Sequence, residues 1–253
     1  MNTILELIQV GVSFGPVRAL DNINLSIQSG EVLAIVGDNG AGKSTLLKVI
    51  TGYCTPTHGT LNLEDRQVKS WSPHKAREAG IEVVYQDLAL VDDIALWRNF
   101  FLGNEMTYKA GKLQILKKEE MRRICKSQLD GMGLSSRLSV NTRADVLSGG
   151  ERQSLAISRA VYFGKKALLL DEPVAALAVG ETRKVFHAIK EAKARGLAVI
   201  YVDHNMANVH AIADRIIVLR AGQISAQVLR QDTSFTDLIA LVEPLSDTEN
   251  IQA

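Results

Sequence analysis

Gly37-Asp38-Asn39-Gly40-Ala41-Gly42-Lys43-Ser44-Thr45 is the stretch that decides the fold. It fits G-x-x-x-x-G-K-[ST], the pattern of a phosphate-binding loop. Before it, Val32-Leu33-Ala34-Ile35-Val36 is a continuous apolar run, the signature of a strand buried on both faces. After it, Ser44 to Ile50 carries apolar residues at helical spacing, and Gly52 is a stop signal. Strand, glycine loop and helix is the order that phosphate binding requires. Glycines let backbone N–H groups turn toward phosphate oxygens, and a helix N-terminus adds favourable partial charge. Lys43 is placed to reach the β- and γ-phosphates, and the Ser44 hydroxyl to bind Mg²⁺. The motif implies a nucleoside triphosphate. It does not say what the energy is used for.

The chain has 253 residues, enough for one large domain or a domain with a subdomain, and 46% are hydrophobic. The net charge of +1 gives no global attraction for nucleic acid or a membrane surface. Cys54 and Cys125 are far apart and lack metal-ligand spacing, which suits neutral thiols in a reducing compartment. The first residues show no signal peptide. No apolar run approaches the roughly 18–20 residues of a membrane span, so the expected membrane role is through a partner.

Leu5 to Val10, with Ser13-Phe14, reads as a first strand and turn, and Ile23 to Ile27 alternates as a half-exposed strand does. Pro56-Thr57-His58-Gly59 reads as a turn, Pro73 to Glu78 as a short helix, and Ile81 to Tyr85 as a strand ending at Gln86. From Asp87 to Phe163 strand-like alternation is lost, and Lys117 to Leu129 has helical spacing. That stretch reads as an inserted helical subdomain. The α/β pattern then returns. Ala167 to Leu170, Leu197 to Val202 and Arg215 to Leu219 are buried strands, and Glu181 to Ala194 is an amphipathic helix. The expected fold class is α/β with a mainly parallel sheet, a small antiparallel β element and the helical insert. Residues 1–86 and 164–242 form the core, 87–163 the subdomain, and 243–253 a loose tail.

In a doubly wound sheet, ligands sit at the carboxyl ends of the strands. The buried strands end in Gln86, Asp171-Glu172 and Asp203-His204, with the phosphate loop at the end of its own strand. Asp171 follows four apolar residues, as a Mg²⁺-associated aspartate does. Glu172 fits a general base that polarises water, His204 a γ-phosphate contact, and Gln86 an amide that reaches metal or water. Alone, a His or Gln at a strand end is more often a hydrogen-bonded structural residue than a catalytic one. Their convergence on one phosphate loop is what gives them weight.

Leu147-Ser148-Gly149-Gly150-Glu151-Arg152-Gln153 reads as a capped helix start, Ser148 and Glu151 forming a capping box. A capped helix does not need two glycines in its first turn, each costing about 1 kcal/mol relative to Ala. Bare N–H groups there let an anion approach. A second phosphate-binding helix end, remote in sequence from the first, points to a nucleotide held between two copies of the chain.

GDNGAGKST, Tyr85-Gln86, LSGGERQ, LLLDEP through Pro173, and Asp203-His204 together resemble an ATP-binding cassette (ABC) ATPase over nearly the whole chain. The resemblance implies a P-loop NTPase core of the RecA-like type. It also implies ATP and Mg²⁺ as cofactors, with the loop residues Gly37, Asp38, Asn39, Gly40, Ala41, Gly42, Lys43, Ser44 and Thr45 on the phosphates. Ser44, Gln86 and Asp171 would hold the metal, and Glu172, His204 and Gln86 would serve catalysis. Ser148, Gly149 and Gly150 would close the site of a partner copy in an ATP-bound homodimer. Phe14 stands where the family stacks an aromatic on adenine; the plainer reading is a core aromatic.

Less specific stretches, Ala79 to Leu90, Asn99 to Gly103, Asp171 to Leu177 and His204-Asn205-Met206, resemble single-cassette subunits of ribose-, fructose- and xylose-type importers. They imply a peripheral subunit on the cytoplasmic face of the inner membrane. It would drive an integral membrane permease, served in turn by a substrate-binding protein, and touch no nucleic acid. The alternatives are a non-sugar ABC transporter ATPase and a soluble, non-transport one. Two departures stand out. Ala178 replaces the Asp that links the two nucleotide sites in the family, and Asp203 replaces a commoner Ser. The acids Asp92 and Asp93, beside Ile94, Leu96, Trp97, Phe100 and Phe101, have two readings: the aromatics are subdomain core, or the stretch forms a groove for a short permease helix.

Overall fold

The computed structural model describes residues 2–64, 66–111, 113–134, 137–175 and 177–242. The expected tail, 243–253, lies outside them. The chain opens with two long strands, β1 (Thr3–Phe14) and β2 (Val17–Gln28), then β3 (Val32–Val36) and α1 (Lys43–Ile50). β4 (His58–Leu63), β5 (Arg66–Gln67), α2 (Pro73–Glu78) and β6 (Ile81–Val84) follow. Next come α3 (Leu96–Phe101), β7 (Thr107–Ala110), β8 (Leu113–Leu116), α4 (Lys118–Gly131) and α5 (Gly149–Phe163). The last stretch holds β9 (Ala167–Asp171), α6 (Val179–Ala194), β10 (Ala198–Val202), α7 (Met206–Ile212), β11 (Arg215–Arg220), β12 (Gln223–Leu229) and α8 (Phe235–Val242).

The chain divides into two compact units, the first made of 1–83, 164–173 and 189–253, the second of 84–163 and 174–188. A six-stranded sheet runs β12-β11-β3-β10-β9-β6. β11, β3, β10 and β9 are mutually parallel, with Val32 opposite Val199 and Leu33 opposite Arg215, and β12 is antiparallel to β11. Every residue of β3 and β10 is buried, which explains why both read as unbroken apolar runs. A four-stranded antiparallel sheet, β2-β1-β4-β5, alternates instead, one face against the core and one outward. The core of the first unit joins Leu5, Leu7, Ile23 and Ile27 of that sheet to Leu33, Ile35, Leu46, Leu47 and Ile200.

The structure corrects two expectations. Residues 56–59 are not a turn, because β4 already starts at His58. Gly59 has φ 83 and a Cβ there would lie 2.3 Å from the Gln9 carbonyl oxygen, so the glycine serves an irregularity in the β1–β4 pairing, where the register shifts between Ile8 and Gly11. The 87–163 segment is not free of strands, for β7 and β8 form a hairpin in register Tyr108–Ile115 and Ala110–Leu113.

The second unit has its own core. Leu96, Trp97, Phe100 and Phe101 of α3 are buried with Met121, Cys125 and Leu129 of α4 and with Leu155 of α5. The aromatic residues expected to line a permease groove are therefore core, leaving Ile94 half-buried and the acids exposed. Asp92 pairs with Arg152 at 2.6 Å and Asp93 with Arg143. Burial pushes the Cys125 thiol up to about 12, so it stays neutral.

Candidate functional site

β3 ends at Val36 and the chain turns through Gly37 to Gly42 into α1. Gly42 holds the last turn at φ 105, and a Cβ there would come within 2.6 Å of the Ala19 carbonyl oxygen, so only glycine fits. No side chain caps α1, which leaves its first N–H groups for an external acceptor. The Lys43 ammonium donates to the carbonyls of Gly37 at 2.6 Å and Asp38 at 3.0 Å, and so lies across the loop. Gly222, in the turn after β11, braces the loop by donating to the Ala41 carbonyl at 3.0 Å. Ser44 is exposed and Thr45 half-buried at the start of the helix.

Asp171 is the last residue of β9 and Glu172 the first beyond it. Burial raises the Asp171 carboxyl above its ordinary value and the Glu172 charge adds to that, while Lys43 pulls it down. Glu172 takes φ 49, an uncommon conformation for a non-glycine residue. Its N–H donates to the Val202 carbonyl at 2.8 Å, which fixes the strained turn to the end of β10. His204 Nδ1 stands 3.2 Å from Glu172 Oε1. Gly37, Asp38, Asn39, Glu172 and His204 line one open cavity of about 430 Å³, together with Met206, Ile239 and Val242. The structure thus brings the phosphate loop, Glu172 and His204 together in the first unit.

The apolar wall from α8 escaped the sequence reading. Its signal was available: Leu238, Ile239 and Val242 recur at helical spacing. Asp203, in sequence a strand-end residue and a departure from the commoner Ser, has its role set by the structure. Its carboxylate is buried, accepting from the Tyr201 hydroxyl at 2.6 Å, the Asn205 N–H at 2.9 Å and the Asn208 amide at 3.1 Å. It therefore organises the start of α7 behind His204. Phe14 ends β1 and is 56% exposed, which rules out the core reading and leaves its ring free to stack.

The other expected residues lie in the second unit. Gln86 follows β6 and is exposed. Ser148 caps α5 reciprocally with Glu151: the Ser148 N–H donates to Glu151 Oε2 at 2.8 Å, and the Glu151 N–H to the Ser148 hydroxyl at 3.3 Å. Burial alone would raise the Glu151 carboxyl, but Ser148 and Arg137 outweigh it and hold the carboxyl below its ordinary value. A Cβ on Gly149 would meet open space, whereas one on Gly150 would lie 2.1 Å from the Glu181 carboxylate.

Comparison with known proteins is decisive here. Residues 20–175 match the model of the ABC transporter family. The chain belongs to the ABC transporter family. A xylose/arabinose import ATP-binding protein of Sulfolobus acidocaldarius is 43% identical over 94% of this cassette and 93% of its own length. A fructose import ATP-binding protein of Rhizobium meliloti is 39% identical over 90% and 89%. A ribose import ATP-binding protein of Yersinia pestis is 35% identical over 98% of the cassette, which spans only 48% of that relative. A nucleotide-free ATP-binding cassette from an ABC transporter superposes with a TM-score of 0.78 at 29% identity, covering 90% of this chain and 91% of that one. A dimeric cassette in a post-hydrolysis state, bound to ADP and Pi, gives 0.75 at 26% identity over 89% and 98%. This cassette is accordingly an ATPase with an α/β fold, and among its described residues no helix is long and apolar enough to cross a membrane.

Proposed function

We propose that the cassette hydrolyses Mg-ATP to drive uptake of a monosaccharide through a membrane permease. The observation that carries the sugar reading is the match to the xylose/arabinose import relative, 43% identical over 94% of this chain and 93% of the relative. In this reading Phe14 stacks on adenine, and the backbone of residues 37–45 with the Lys43 ammonium binds the phosphates. Mg²⁺ neutralises phosphate charge. Ser44 and Asp171 would be the hard oxygen donors for it. The fit is supported by Asp171, whose carboxylate is destabilised by burial and by Glu172, a condition a cation relieves. Among the described residues no cluster of acids, histidines or cysteines could hold a metal alone, so the cation would depend on phosphate oxygens as well.

Glu172 is the general base for the attacking water, and the contact between its Oε1 and His204 Nδ1 fixes its carboxylate. Two copies of the cassette form the working unit, Ser148, Gly149 and Gly150 of one facing the γ-phosphate bound by the other. The subunit sits on the cytoplasmic face of the inner membrane against its permease, which takes sugar from a substrate-binding protein.

The test uses the cassette reconstituted with a candidate permease and its substrate-binding protein in right-side-out membrane vesicles. ATP inside should drive uptake of a labelled pentose or hexose. Glu172→Gln should abolish that uptake and lower ATP turnover by roughly 10²–10⁴-fold while nucleotide binding survives. Near-normal turnover by the variant would remove Glu172 from its role. Uptake of an amino acid or metal in place of any sugar would overturn the substrate class.

A further inference from the structure

The hairpin of β7 and β8 has no part in the nucleotide chemistry, and all eight of its strand residues are exposed. Tyr108 pairs with Ile115 and Ala110 with Leu113, so these four side chains share one face by the alternation of a strand. That face is wholly apolar, and Leu113 is 69% exposed. Leu116 adds an exposed aliphatic on the opposite face. A lone two-stranded hairpin is marginal in water, and an exposed apolar patch marks a contact surface.

Charge selects the partner. Between Thr107 and Leu116 the sequence carries Lys109 and Lys112 and no acid. The nearest acids, Glu105, Glu119 and Glu120, flank the hairpin in sequence on the side where Thr107 pairs with Leu116, and so stand away from the Gly111 turn. Glu120 is tied to Lys117 at 3.2 Å and Glu119 to Arg122 at 2.5 Å, so neither is free to offset the lysines. Lys109 pairs with Gln114 and so projects from the other face. An apolar face with a tyrosine, backed by a basic face whose lysine stem can reach back to the headgroups, matches an element lying in the boundary between headgroups and acyl chains. Cytoplasmic loops of membrane proteins are themselves rich in Lys and Arg and would repel the same lysines.

We propose that this hairpin is a lipid-contact element that rests its Tyr108–Leu113 face on anionic phospholipid. The proposal assumes that the cassette works at a membrane, as argued above. It does not depend on which solute is carried.

The purified full chain is mixed with vesicles of phosphatidylcholine alone or with one-third phosphatidylglycerol, and sedimented. More protein should sediment with the anionic vesicles, and less as salt is raised. Lys109→Glu with Lys112→Glu should weaken binding by roughly tenfold or more, since each lysine is converted from attraction to repulsion. Tyr108→Ser with Leu113→Ser should weaken binding to anionic vesicles without removing its salt dependence. ATP turnover of both variants should match the unmodified chain, which shows that the fold is intact and separates this test from that of the transport reading. Equal sedimentation with both vesicle types, or binding unaffected by either pair of substitutions, overturns the proposal. So does concentration-dependent dimerisation that Tyr108→Ser with Leu113→Ser abolishes, because the face would then belong to a second copy.

Discussion

At the scale of single residues, the Asp203 carboxylate accepts from Tyr201, Asn205 and Asn208 while exposing almost none of itself to water. Burial first, and the adjacent Asp203 charge second, drive the Tyr201 hydroxyl far above its ordinary range, so it stays a donor at every working pH. Asp203→Ala leaves three donors without their acceptor. Each buried, unsatisfied group costs about 1–3 kcal/mol, and the Asn205 N–H can regain water, so a total loss of roughly 2–4 kcal/mol is expected. Urea denaturation measures it; a loss under about 1 kcal/mol would mean the network is slack. Tyr201→Phe removes one of those donors and should cost less. Asp171, Glu172 and His204 were legible in the sequence because each stands where an apolar run stops. Asp203 stands in the same place, yet its role was not legible. Which way a side chain points at a strand end depends on the next element of the chain, here α7 with its Asn205 cap.

Among the elements, the start of α5 offers a test with a definite pH sign. The Glu151 carboxyl is held below its ordinary value of 4.5. Its stabilising contribution is therefore complete above that value and is lost as pH falls through the lower, folded value. Glu151→Gln keeps an acceptor for the Ser148 N–H but removes the charge at the helix N-terminus, and should destabilise the protein by roughly 0.3–1 kcal/mol at pH 7. The gap between variant and parent should close as the pH drops below 4.5. A gap that stays constant through acid would show that Arg137 and Ser148 do not depend on the charge. This capping box was legible because it is written in four adjacent residues. The hairpin of β7 and β8 carried a signal too, in Tyr108, Ala110, Leu113 and Ile115 alternating about Gly111-Lys112. It was masked by the helical pattern on either side. Gly59 read as a turn because a glycine after proline usually is one. A glycine that opens a bulge looks identical until its partner strand is known.

For the molecule as a whole, the parallel sheet was legible because strands buried on both faces cannot hide their apolar runs. The second copy that the proposed composite site requires is different, because the only trace of it in one chain is a helix start with more glycine than a cap needs. Gly149→Asp tests that trace cleanly. A side chain at 149 meets open space within this chain, whereas one at 150 would strike the Glu181 carboxylate. An acid in the first turn of α5 also interacts favourably with the helix dipole. The substitution should therefore leave the folded monomer at least as stable as its parent, and Lys43 should still bind ATP in it. Between two copies the new carboxylate would face phosphate oxygens, and like charge together with a blocked backbone approach should prevent closure. Hydrolysis should be abolished, and ATP should no longer produce a dimer in light scattering. Lost nucleotide binding by the monomer would show that Gly149 serves its own chain's site. Unchanged turnover would show that the signature helix end meets no phosphate at all.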